Sequence, residues 1–135
     1  AITDTVTRLH EYTCKNDLEL SAAVFADYPG CSESQAQDWA SWALDGLVDY
    51  MFPMTYTNSV RMAVGRSVCH MALVGNSVPL WEGLGKGSSC STISTDVLEM
   101  QARGALNAGA QGVVLFSYPA VTDEDLAMLR KVAQS

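Results

Sequence analysis

Residues 47–56 read Leu47-Val48-Asp49-Tyr50-Met51-Phe52-Pro53-Met54-Thr55-Tyr56. The run is short, apolar and rich in aromatic and branched residues, which predicts a β-strand. Tyr50, Phe52, Met54 and Tyr56 share one parity and so one face of that strand. Pro53 argues against a central position, because proline lacks the amide that a ladder needs.

Upstream, Ser34–Leu44 predicts a helix, with Ala36, Trp39, Ala40 and Ala43 on one side. Before it, Leu18–Ala26 reads as a strand that ends in the turn Asp27-Tyr28-Pro29-Gly30. Thr5–Asn16 reads as a leading helix. Downstream, Ser59–Leu73 predicts another helix. Val78–Glu82 then predicts a strand, closed by the glycine-rich Gly83-Leu84-Gly85-Lys86-Gly87. Asp96–Ala108 predicts a helix capped by Asp96, with Glu99 three residues on, and stopped by Gly109. Gly112–Ser117 is continuously apolar, which predicts a strand buried on both faces. Thr122 caps a last helix, and Asp123, Glu124 and Asp125 fill its positive first turn.

Strands that alternate with helices imply an α/β fold with parallel pairing and right-handed crossovers. Four parallel βα units can close in two ways. As half of a (β/α)8 barrel they lie in sequential order, and self-association could complete the barrel. As a flavodoxin-like open sheet they take a switched order such as 2-1-3-4.

The chain has 135 residues, 48% hydrophobic and 17% charged, which fits one globular domain over residues 1–135. Net charge is −7, with only 8 Lys plus Arg. That excludes a basic nucleic-acid footprint and disfavours anionic membranes. No apolar run approaches the roughly 20 residues of a membrane span. Ala1–Glu11 has no charged-then-apolar leader pattern, and the compartment stays open. Cys14, Cys31, Cys69 and Cys90 show no metal-ligand spacing, so no metal or other cofactor is expected. Buried free thiols are expected, with one disulfide possible in an exported parent.

Two stretches carry a family resemblance. One runs from Ala22-Ala23-Val24-Phe25-Ala26-Asp27 through Gln37-Asp38-Trp39 and Trp42 to Gly46–Thr57. The other is Pro79-Leu80-Trp81-Glu82-Gly83-Leu84-Gly85, then Gln101-Ala102-Arg103, then Gly109–Ser117. Together they resemble the later part of the glycosyl-hydrolase-like family 10 barrel, and Pro53–Tyr56 is similar to the Met-x-Tyr strand of chitinase-type barrels. The resemblance covers about Leu18 to Leu129. It implies strands five to eight of the barrel, a carbohydrate-processing and exported parent, and a glycan ligand. It also implies that the other half of the barrel comes from an N-terminal half or from a homodimer.

Active sites in such barrels lie at the C-terminal strand ends. That rule selects Asp27, Tyr56, Glu82 and Tyr118. Glycoside hydrolysis needs two carboxyl groups roughly 5–10 Å apart, so Asp27 and Glu82 are the expected catalytic pair. Tyr56, Met54, Trp81 and Tyr118 are the expected glycan-binding residues, with the rings as stacking surfaces. Asp49 and Asp38 read as structural acids, Trp39 and Trp42 as packing, and His10 and His70 as surface or core histidines. Lys86 among its glycines offers a phosphate site. The rival function is a non-catalytic α/β module that binds a glycan or a phosphorylated small ligand. Strand order separates the two readings.

Overall fold

A computed structural model describes residues 1–135. The chain begins with helix α1 (Ile2–Lys15) and strand β1 (Ser21–Phe25). Helices α2 (Gly30–Ser34) and α3 (Trp39–Leu44) lead to β2 (Tyr50–Thr55) and α4 (Val60–Val74). Strand β3 (Trp81–Gly85), α5 (Thr95–Ala108), β4 (Gly112–Phe116) and α6 (Asp123–Gln134) complete it. A 3-10 turn, Tyr118–Ala120, joins β4 to α6. No helix is long and apolar enough to cross a membrane.

The four strands form one sheet in the order β1-β2-β3-β4, and every neighbouring pair is parallel. The order is sequential, which excludes the switched order of the doubly wound alternative. Pro53 does lie in a central strand. Met51 bridges Leu80, and the β2–β3 ladder resumes only at Met54↔Gly83. The amide of Met51 donates to Pro79 O on the β3 side, and so would that of residue 53. The missing donor therefore falls in the gap of the ladder.

The helices cover one face. Val24, Met51 and Leu80 enter a buried cluster with Trp39, Trp42 and Val74. Leu84 enters a second with Leu98, Ala102, Met128 and Val132. These strand residues share one parity. The opposite parity carries Phe25, Val114 and Phe116, each 43–49% exposed. The expectation that Gly112–Ser117 is buried on both faces therefore fails, because no second layer covers this side.

Several boundaries differ from expectation. The helix expected over Ser34–Leu44 forms only from Trp39, since Ser34 ends α2 and Ala36 takes a left-handed φ of 55°. Ser94, not Asp96, caps α5: its hydroxyl accepts from the Val97 amide at 3.2 Å. β3 runs on to Gly85 instead of ending at Glu82. Elsewhere, Thr122 and Asp125 form a reciprocal capping box on α6. Gly109 ends α5 at φ 111°, a conformation that glycine adopts without strain. All four cysteines are free, but only Cys31 is buried.

Candidate functional site

The C-terminal ends of β1 and β2, the middle of α4 and the loop after β3 enclose a cavity of about 400 Å³. Phe25, Met54 and Tyr56 give it an apolar wall, and Asp27, Arg66, Ser89 and Cys90 line the remainder. Asp27, Met54 and Tyr56 are thus brought together as expected.

Tyr56 owes its pose to the glycines of β3. Gly83 and Gly85 present no side chain on the open face. A Cβ at Gly83 would meet Pro53 O at 2.8 Å and Tyr56 Cε1 at 3.4 Å. A Cβ at Gly85 would meet Tyr56 Cβ at 2.9 Å. The tyrosine ring fills the space these residues leave and stacks on Phe116 from β4. Their centroids are 5.3 Å apart and their planes 17° from parallel. Burial raises the Tyr56 pKa, so its hydroxyl stays a donor. The result is a two-ring platform spanning three strands. Sequence reading placed the Gly-x-Gly in a phosphate loop. Its alternation with Tyr56 and Phe116 across the register was the available clue to its role.

The exit of β1 is clamped by three consecutive residues. Gln37 Oε1 accepts from the Phe25 amide at 2.8 Å, and Trp39 Nε1 donates to Phe25 O at 3.0 Å. Asp38 accepts from the Tyr28 hydroxyl at 2.7 Å and from Ser41 Oγ at 2.8 Å. The bond to Asp38 pushes the Tyr28 pKa up to about 12, with burial adding to it. The same bond, helped by Ser41 and opposed by burial, holds Asp38 below the usual carboxylate range. Gly30 leaves room for Asp27, since a Cβ there would meet Asp27 Oδ2 at 2.6 Å. Asp27 therefore stands on a strand end that both neighbouring segments hold still.

Glu82 is not on the rim. It is the second residue of β3, fully buried, and it faces the helices. Thr55 Oγ1 donates to its Oε2 at 2.6 Å, and His70 Nδ1 lies 2.6 Å from its Oε1. His70 Nε2 is 2.8 Å from Ala26 O. A carbonyl only accepts, so Nε2 carries a proton. Trp39 packs edge-on against the imidazole at 5.3 Å. The network joins α4 to all of β1, β2 and β3. The expected catalytic pair of Asp27 and Glu82 is therefore split between the rim and the helix-covered face. The error arose from ending the strand three residues early.

Trp81 and Tyr118 also lie away from the cavity. Trp81 starts β3 at the opposite end of the sheet and covers Gly112. It lines a separate groove of about 550 Å³ with Val113, Leu129 and Val132. Tyr118 begins the 3-10 turn and is 90% exposed. Lys86 is buried, and its Nζ lies 3.1 Å from Asp125 Oδ1. Burial alone would raise the Asp125 pKa. The Thr122 amide, the Thr95 hydroxyl and Lys86 outweigh that and hold it low. A lysine so paired is not free for phosphate, which removes the phosphate reading of this loop. Asp49 is structural as expected and accepts from the Leu20 amide at 2.7 Å. Arg66, which lines the cavity, and Phe116, which stacks on Tyr56, were missed; on sequence alone they are one helical arginine and one strand phenylalanine.

No protein-family model matches the chain, and no curated protein matches it.

Proposed function

We propose that this chain is the carbohydrate-binding half of a glycoside-hydrolase-like (β/α)8 barrel, corresponding to strands five to eight. The observation that carries this reading is Tyr56, braced by its stacking on Phe116, lining one cavity with Asp27 at the C-terminal end of a parallel sheet open on one face. A sugar lays its apolar C–H face on such an aromatic ring. Its hydroxyls then reach the Asp27 carboxylate and the Tyr56 phenol. Sequential strand order and a one-sided helix layer fit half of a barrel whose interior is the open face. All-parallel sheets are otherwise covered on both sides. Four further strands, from a second copy or from an N-terminal half, would close it.

The chain binds but does not hydrolyse by itself. Asp27 is the only carboxylate lining the cavity, and glycoside hydrolysis uses two. The second carboxylate belongs to the other half.

The test is calorimetric titration of the 135-residue chain with soluble oligosaccharides. Tyr56→Ala should weaken binding about three- to tenfold, the equivalent of about 1 kcal/mol of aromatic contact. Asp27→Asn should weaken it without changing the unfolding midpoint. Failure of every oligosaccharide to bind would sink the reading.

A further inference from the structure

Arg66 is the one cation lining the rim cavity, and it is unpaired. The molecule's close contacts between acidic and basic groups are Ala1–Asp4, His70–Glu82, Lys86–Asp125 and Arg103–Glu99, and neither Arg66 nor Asp27 takes part in any. Arg66 is half-buried on α4, beside the apolar wall of Phe25, Met54 and Tyr56. A guanidinium offers five donors in a planar fork that matches a carboxylate. Partial removal from water strengthens that pairing.

We infer that the cavity selects a glycan that carries a carboxylate, with Arg66 holding the acid group and Asp27 the neighbouring hydroxyls. The inference rests on the carbohydrate reading above and adds the charge of the sugar. Charge balance favours a carboxylate over a phosphate. One guanidinium neutralises a monoanion. A phosphate dianion would keep excess negative charge beside Asp27, in a chain of net charge −7. The other cation near this end, Lys86, is already committed to Asp125.

The probes are glucuronate and galacturonate oligomers, each compared with its own methyl ester, which keeps the ring and hydroxyls and removes the charge. The wild-type chain should bind an acid about tenfold or more tightly than its ester, as a charge-assisted contact implies. Arg66→Gln should abolish that preference, bringing the acid's affinity down to that of its ester. The fold should survive, since Arg66 makes no ion pair in the structure. Arg61→Gln, an exposed change on the same helix, should leave the preference intact. Equal binding of acid and ester, or a preference that persists in Arg66→Gln, overturns the inference and leaves the carbohydrate reading standing. Displacement by millimolar inorganic phosphate overturns the choice of carboxylate. If neither acid nor ester binds while a neutral oligosaccharide does, the inference falls and the carbohydrate reading stands; if no oligosaccharide binds, both fall.

Discussion

On one side of the sheet, Val24, Met51 and Leu84 are sealed under helices, and Glu82 has a partner for each carboxylate oxygen. On the other side, Phe25, Val114 and Phe116 are also apolar, yet each is 43–49% exposed. Composition does not distinguish the two faces. What differs is that one has its second layer and the other does not. The two expected catalytic acids are also divided: Glu82 is buried under the helices, and Asp27 stands at the rim.

The largest effect should follow from breaking the finished side. Glu82→Leu leaves His70 Nδ1 and the Thr55 hydroxyl without a buried partner, and stability should fall by about 3–5 kcal/mol in urea denaturation. Asp27→Asn in the same experiment should stay within about 0.5 kcal/mol, as surface changes do. Similar losses for the two variants would erase the contrast between these carboxylates.

A smaller effect tests the open side. If a second copy closes the barrel, light scattering on a size-exclusion column should give a dimer mass. Val114→Asp should then raise the dimer dissociation constant more than about tenfold, because burying a valine gives about 1.5–3 kcal/mol. A wild-type monomer at every concentration would count against closure by a second copy and favour a self-contained open sheet.

The smallest effect lies in pH. Tyr28 ionises near 10 when unfolded and at about 12 in the fold. Its contribution is complete below pH 10 and is lost as pH rises through about 12. Unfolding midpoints should decline across that window, and Tyr28→Phe should flatten the decline.

The alternation of elements was legible in the sequence because periodicity and caps report local structure. Gly109 and Thr122 stand where they were expected. Two features were not legible because they depend on neighbours in space. The helix expected from Ser34 starts only at Trp39, because Gln37 and Asp38 are engaged with Phe25 and Tyr28, which propensity does not register. Gly83 and Gly85 looked like a loop, yet they are strand residues over which a neighbouring tyrosine lies. The strand-end rule picked out Asp27 and Tyr56, and shared parity with Tyr56 picked out Met54; the three line one cavity. Glu82 was misplaced by the same rule, applied to a strand read too short.

The Phe25 clamp has a bearing on how the sheet can be extended. Gln37 and Trp39 occupy the amide and the carbonyl of one residue, and both groups point outward from the β1 border. Because outward-pointing groups alternate along a strand, only Ser21 and Ala23 remain open on that border. A strand arriving there would meet a fixed terminus at Phe25 and could bond only below it. The clamp works as an end-stop: it sets the alignment of any added strand, and it denies a runaway stack of copies a full-length template.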